Sequence, residues 1–355
     1  MAPSRDILLV YGRPASFIDL DRDLLARLGR VQEWSPRRGA GGIPALARRL
    51  LSLPLRVARC NVVYAWFASW QTLGPLLLAR ALRRPSVLVI GGFDVANRPE
   101  IGYGAQRGGA RRAIARLAIA CAGRLITNSH ASAREIDANL GVGAPRLSVV
   151  HHGVPDPYPD LPDPRRERRV VTVGVVNTVN LVRKGYREFV AAAAEVPDAE
   201  FALVGRWDDD AAQALQRSAP ANVTLTGELS EEDLRRCLAE ASVYVQASRH
   251  EGFGMAMAEA MLAGAIPVIT RVEALEEVAG DCAIRADSTP ASLAAAIRGA
   301  LDAPNAARTR ARQRIRDQFP LAKRGAAIAG ILDDIAPITI SGTEGPQDAF
   351  PQPSA

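Results

Sequence analysis

Aromatic residues make up only 5% of this 355-residue chain, and lysine is nearly missing: of 44 basic residues, all but Lys184 and Lys323 are arginine. With so few aromatics, and no basic run interleaved with them, nucleic acid is not an expected partner. The four cysteines (Cys60, Cys121, Cys237 and Cys282) show no Cys-x-x-Cys spacing. They read as buried thiols in a reducing compartment, not as a zinc or redox centre. The four histidines, His130, His151, His152 and His250, do not pair at ligand spacing either, so no metal is expected. Long apolar runs are missing too. The densest, Leu73 to Leu82, is broken by Pro75 and Arg80 and falls well short of the roughly 18 residues that span a bilayer. Met1 to Val10 carries Arg5 and Asp6 and turns directly into a strand-like run. That differs from a secretory leader, so a cytoplasmic location is expected. Finally, no Gly-x-Gly-x-x-Gly follows the first strand (Tyr11 to Ala15), which argues against a dinucleotide-dependent oxidoreductase.

What is there is a soluble-type composition, 48% apolar and 23% charged, and enough length for two domains of about 150 residues each. Charge is divided unevenly. Residues 1–160 hold 22 arginines and 11 acids, a balance of +11, while residues 161–355 hold 22 basic and 27 acidic groups, a balance of −5. The basic half suits an anionic partner, either a membrane surface or a phosphate-bearing acceptor. Residues 43–59 mix leucine with Arg48, Arg49, Arg56 and Arg59, and Arg107, Arg111, Arg112 and Arg116 lie further on. These residues read first as a solvated helix whose leucines face the core, with peripheral contact with the inner face of an anionic membrane as the alternative.

Short apolar runs at 7–11, 61–65, 86–90, 124–128 and 147–151 lack the in–out alternation of a half-exposed sheet, as parallel strands covered on both faces should. Helical spacing lies between them at 16–29, 43–52, 69–83, 106–122 and 130–140, the last with Ser129 as N-cap and Gly141 as stop. Five prolines fall within residues 155–164, which excludes a helix or central strand there and marks a domain boundary. The alternation then resumes. Strands are expected at 170–176, 201–204, 223–226, 243–246, 266–270 and 282–286. Helices are expected at 185–195, 210–218, 230–240, 254–263, 288–302, 305–318 and 321–335. Repeated β-α units imply right-handed crossovers and doubly wound sheets. The expected organisation is an N-terminal Rossmann-like domain over 1–154, a linker over 155–168 and a second Rossmann-like domain over 169–320. A terminal helix over 321–340 packs back on the first domain, and 341–355 is a disordered tail. Two such sheets would place a ligand cleft where their strand carboxyl ends face each other.

The segment richest in chemistry runs from Ser248 to Val268, after the strand at 243–246. Glu251 falls in a strand-to-helix loop. Gly252 and Gly254 allow backbone to approach a ligand closely, and the free amides that open the next helix form an anion site suited to a diphosphate. Glu259 lies about two turns into that helix on an otherwise Met/Ala/Leu surface. As an acceptor-only group it can receive both hydroxyls of a diol such as ribose.

Glu251 and Glu259 with seven residues between them, Glu251-Gly-Phe-Gly254, and Ala260-Met-Leu-Ala-Gly-Ala-Ile-Pro-Val268 closely resemble the family 4 retaining glycosyltransferases of the GT-B fold. Further matches follow in order: Val173-Gly174, Lys184-Gly185, Val204-Gly205, the strand and turn at 223–227, and Glu277-Val278. Ile126-Thr-Asn-Ser129 and Val150-His-His-Gly-Val154 sit where that family has comparable segments, and over 1–119 the likeness is one of architecture. The resemblance implies two Rossmann-like domains facing across a cleft. It also implies metal-independent transfer from a nucleotide-diphosphate sugar, with no cofactor beyond that donor, to a glycan, lipid-linked or small-molecule acceptor. It makes Glu251 the contact to the donor sugar, Glu259 the ribose ligand, and Gly174, Gly252, Phe253, Gly254 and Met255 the donor cradle. Lys184 becomes the cation that meets the leaving phosphates.

Where the family carries an arginine after the first glycine, this chain has Val175. Arg183 or Arg206 could supply that charge, with Arg206 preferred because it follows the strand end at Gly205. Asp94, in the glycine-rich loop 91–104, is the candidate for a third catalytic position, contacting donor sugar or acceptor; its alternative role is to cap the turn. His152, before Gly153 at the domain boundary, could line the cleft, and His250 could orient the loop of Glu251. Two other functions stay open: a GT-B protein that binds a nucleotide sugar or glycan without turnover, and a nucleotide-sugar epimerase. The sugar, base, acceptor and linkage are not readable from spacing.

Overall fold

A computed structural model describes residues 5–36, 42–143, 145–158 and 167–337. The chain forms two units, one built from the chain up to Pro99, Gly104–Gly153 and the chain from Leu321, the other from Glu100–Tyr103 and Val154–Pro320. Most of the proline-rich segment and the stretch from 341 onward, expected to be a linker and a disordered tail, lie outside the described residues.

The first unit carries β1 (Arg5–Val10), β2 (Gly29–Trp34), β3 (Val62–Trp66), β4 (Ser86–Ile90), β5 (Arg124–Thr127) and β6 (Leu147–Val149), interleaved with α1 (Ser16–Leu28), α2 (Gly42–Arg59), α3 (Trp70–Ala81), α4 (Gly109–Cys121) and α5 (His130–Leu140). Its sheet is parallel in the order β2-β1-β3-β4-β5-β6. Strands β3 and β4 are buried along their whole length, which is why they read as unbroken apolar runs. The second unit repeats the plan with β7 (Arg169–Val173), β8 (Glu200–Val204), β9 (Val223–Gly227), β10 (Val243–Gln246), β11 (Ile266–Thr270) and β12 (Ile284–Ala286), in the order β12-β11-β10-β7-β8-β9. Its helices are α6 (Thr178–Arg183), α7 (Tyr186–Ala193), α8 (Ala211–Arg217), α9 (Glu231–Glu240), α10 (Met255–Leu262), α11 (Glu273–Ala279), α12 (Pro290–Leu301) and α13 (Asn305–Gln318). The order reverses at β10 and β7, and in such sheets ligand sites form at the strand carboxyl ends beside that reversal.

The final helix, α14 (Leu321–Ile335), belongs to the first unit. Ile328 and Leu332 are buried with Ile18 and Leu24 of α1. Buried Arg324 grips Asp21 with two hydrogen bonds (Nε to Oδ1 2.6 Å, Nη2 to Oδ2 2.8 Å) and donates to Val150 O at 3.0 Å.

Several elements differ from the sequence expectation. Strand β2 went unrecognised because it is an edge strand, half-exposed, and needs no apolar run. Helix α2 continues through Pro54 to Arg59 instead of stopping near residue 52. Pro54 is exposed, so the helix loses one hydrogen bond there without burying an orphan carbonyl. Strand β7 ends at Val173, before the expected Val176, and α6 and α11 occupy stretches expected to be loop. Each of these two helices is shorter than two full turns, too short for a periodic signal.

Candidate functional site

Strand β10 begins the site. Its pleat puts Tyr244 and Gln246 on one face, and Ser248 follows two residues on with the same phase; all three are buried. Buried polar groups need partners, and here they form a chain. Val173 N–H donates to the Tyr244 hydroxyl (3.3 Å), which donates to Gln246 Oε1 (3.0 Å). Gln246 Nε2 then donates to Ser248 Oγ (2.8 Å) and Glu251 Oε1 (3.0 Å), and the Ser248 hydroxyl donates to the same Oε1 (2.9 Å).

Two cations reach that oxygen from the turn between α6 and α7. Gly185 caps α7 with φ +65°, and a Cβ on it would lie 2.2 Å from Ala247 O at the exit of β10. Only glycine fits both constraints, and the close approach delivers Lys184 Nζ to 3.1 Å and Arg183 Nη1 to 3.5 Å from Glu251 Oε1. Arg183 Nη1 also donates to His250 O at 3.2 Å. All these contacts fall on Oε1. Among the described residues nothing bonds Oε2, while the Glu251 side chain keeps 14% exposure. One oxygen fixes the carboxylate; the other is open to a ligand.

Burial by itself would raise the Glu251 pKa. Lys184, Arg183 and the Ser248 hydroxyl outweigh it and hold the group at about 2. Burial lowers Lys184, and Arg183 lowers it further, against the opposing pull of Glu251.

Past Glu251 the chain turns through Gly254 (φ +99°) into α10. The first helical bond runs from Ala258 N to Gly254 O (3.0 Å), which leaves the first-turn amides without helical partners. Phe253 is buried edge-on against Phe319, ring centroids 5.4 Å apart, and anchors the loop. Glu259 of α10 is the opposite of Glu251: among the described residues no group bonds or pairs with its carboxylate, and burial alone raises it to about 7. The Tyr244 phenol, raised chiefly by burial, also feels the charges of Tyr186, Glu251 and Glu259, so both carboxylates act on this strand.

Residues 167–303 match the family model described as glycosyl transferases group 1, a span that contains every group just described except Phe319. The match lies within the second unit. Over 116 residues, 31% of this chain, the sequence is 32% identical to a GDP-mannose:cellobiosyl-diphosphopolyprenol alpha-mannosyltransferase of Xanthomonas oryzae pv. oryzae; the match spans 29% of that protein's length. Both units together are similar in fold to HepE of Anabaena, solved with UDP and glucose (TM-score 0.70, 18% identity, 93% of this chain and 100% of that one). They are similar also to a sucrose-phosphate synthase of Thermosynechococcus elongatus (TM-score 0.71, 18% identity, 93% and 98%). The chain has the GT-B fold.

Within the second unit, Gly174 follows β7 beside Lys184, since a Cβ on it would lie 3.3 Å from Lys184 Cε. Gly252 and Met255 flank buried Phe253 and Gly254 at the start of α10. Arg206 follows Gly205, which packs against Gly174, but its side chain is 53% exposed and pairs with Asp208 at 2.7 Å. Of the two cations considered in place of the usual arginine, Arg183 is the one at the carboxylate, with a side chain 11% exposed. Tyr103 is grouped with this unit; the Arg183 guanidinium lies 4.9 Å from its ring centroid, and its ring is 5.2 Å from that of His250. In the first unit, Asp94 is 2% exposed and accepts from the amides of Ala68 (2.9 Å), Gly91 (3.2 Å) and Gly92 (3.0 Å). Burial raises it to about 6 against those hydrogen bonds. That is the geometry of a turn cap. His152 is buried and stacked on Trp66 (9°, centroids 6.0 Å apart).

Sequence reading missed Gln246 and Ser248. The available signal was three polar residues at alternate positions, 244, 246 and 248, on a strand otherwise apolar.

Proposed function

We propose that this protein is a retaining glycosyltransferase that moves a sugar from a nucleotide-diphosphate sugar to a hydroxyl of a glycan, lipid-linked or small-molecule acceptor. One observation carries the reading: Glu251 is ionised and locked through Oε1 while Oε2 stays open, next to two mostly buried cations and ahead of helix α10, whose Glu259 has no partner among the described residues. In this reading Oε2 accepts from a donor-sugar hydroxyl, and Glu259 accepts from the ribose. The diphosphate lies against the α10 amides and Lys184. The bond between the anomeric carbon and the phosphate oxygen breaks, and the nucleoside diphosphate leaves with the electron pair. The acceptor oxygen bonds the anomeric carbon on the same face, and its proton passes to the departing phosphate oxygen. Lys184 and Arg183 supply the charge that a divalent ion supplies elsewhere, which supports metal-independent transfer. The Xanthomonas relative is named for a GDP-mannose donor and a diphosphopolyprenol-linked acceptor, which favours a lipid-linked acceptor. A cytoplasmic location, where nucleotide sugars are available, belongs to the same reading.

The test is donor turnover, followed for UDP-glucose and GDP-mannose with and without acceptors. Wild-type protein should release nucleoside diphosphate, and Glu251→Gln should lose at least about a hundredfold in rate. Donor binding without release for any acceptor would instead indicate a binding protein, and isomerised sugar with no acceptor present an epimerase.

A further inference from the structure

Between Glu33 and Glu135 the chain has only two carboxylates, Asp94 and Glu100. Asp94 is buried in its turn, so almost no negative charge remains to balance the arginines of that stretch. Helices α2, α3 and α4 fall within it and contain no acid at all. The three lie side by side, with α3 touching both neighbours, and all three bury side chains in one core layer: Leu53 and Val57 from α2, Leu76 from α3, Ala118 from α4. Their outer surface is therefore a continuous acid-free layer.

That surface is also apolar. Leu46, Leu50, Leu51 and Leu55 of α2 are exposed, Leu51 to 81% and Leu55 to 52%, with Leu77 of α3 and Leu117 of α4 exposed beside them. Leucines so open to water are out of place on a monomer's surface unless something covers them. Arg48, Arg56 and Arg59 of α2 and Arg111 and Arg112 of α4 share the layer, and none has an ion-pair partner among the described residues. Among those residues no helix is long and apolar enough to cross a membrane, so contact is at a surface and not through it.

We infer that the α2–α3–α4 face of the first unit docks on an anionic lipid bilayer, with the α2 leucines entering the acyl boundary and the arginines meeting lipid phosphates. Arginine suits both demands: its stem lies along apolar surface while its guanidinium bonds phosphate. A nucleic acid would satisfy the charge but would leave the leucines in water, and the acid-free layer offers no row of stacking aromatics. This inference rests on the first unit alone and stands apart from the donor chemistry of the second.

Vesicle flotation of the whole protein tests it. Binding should be strong to vesicles of phosphatidylcholine with about a third phosphatidylglycerol, weak to phosphatidylcholine alone, and reduced by salt. Double substitution Leu50→Ser/Leu51→Ser should weaken anionic-vesicle binding by about tenfold or more. Arg48→Glu/Arg59→Glu should do the same and flatten the salt dependence. All of these positions are at the surface, so circular dichroism and the melting transition serve as folding controls, and a donor-induced rise in Tm shows that the second unit is intact. Equal binding to neutral vesicles, leucine variants that bind like wild type, or competition by an oligonucleotide more potent than by anionic lipid would each overturn the inference.

Discussion

Glu251 is held by more contacts than a buried carboxylate needs, all on one oxygen, so each neighbour can be changed with a specific outcome. Replacing Glu251 by Ala strands Lys184 and Arg183 as buried cations, and breaking such a pair costs about 3–5 kcal/mol. Glu251→Gln keeps the shape and should cost far less in a denaturant melt while still losing turnover. Lys184→Ala should slow transfer by about a hundredfold or more, with a smaller change in donor affinity, because leaving-group charge develops in the transition state. Glu259 gives a pH signature. Its folded pKa of about 7 lies above the ordinary carboxylate value of 4.5, so the folded protein holds that proton more tightly than the unfolded chain. The contribution to stability is therefore complete below about 4.5 and lost as pH rises toward 7. Donor affinity should run the opposite way, rising through pH 7 as the carboxylate becomes an acceptor, and Glu259→Gln should abolish that rise in a titration series. Tyr186 offers a contrast. Its hydroxyl is buried with no hydrogen-bond partner among the described residues, so Tyr186→Phe should leave the melting temperature unchanged or slightly higher. At this scale Glu259 stands out in the sequence as an acid on an apolar helix, Glu251 as the acid of a glycine-rich loop and Lys184 as one of only two lysines, and the fold brings Lys184 to Glu251. Of Arg183 and Arg206 the sequence favoured Arg206, since only the fold shows which of the two guanidinium groups faces inward.

Among elements, the α6–α7 turn and the start of α10 do the positioning. Gly185 and Gly254 both have positive φ, and a Cβ on Gly185 would run into the Ala247 carbonyl. Gly185→Ala should therefore displace Lys184 and reduce turnover as well as stability. At Gly254 the Cβ would meet side chains only, Leu275 at 2.7 Å and Met257 at 3.5 Å, so Gly254→Ala should cost about 1–2 kcal/mol from the backbone conformation; a urea melt compares the two. Both glycines stood out in the sequence as members of motifs, but the carbonyl against which Gly185 packs comes from a strand some sixty residues away and is not encoded nearby. The central strands were legible because burial on both faces forces unbroken apolar runs. Edge strand β2 and the short helices α6 and α11 left no such trace.

For the molecule as a whole, each unit carries its own sheet and core, and the two differ in charge character, the basic balance lying in residues 1–160. The α/β alternation made the two-sheet plan readable, while the return of α14 to the first unit depends on the buried Arg324–Asp21 pair, 303 residues apart in sequence. Arg324→Ala should destabilise the first unit by about 3–5 kcal/mol and leave donor binding in the second unaffected, a separation that calorimetry with and without nucleotide sugar would resolve. The central claim, that a nucleotide sugar sits between Glu251, Lys184 and Glu259, is tested most directly by hydrogen exchange with saturating UDP-glucose or GDP-mannose. Protection confined mainly to residues 183–186 and 248–259 is the predicted result; donor binding that protects other segments and leaves these two exchanging as before would contradict it.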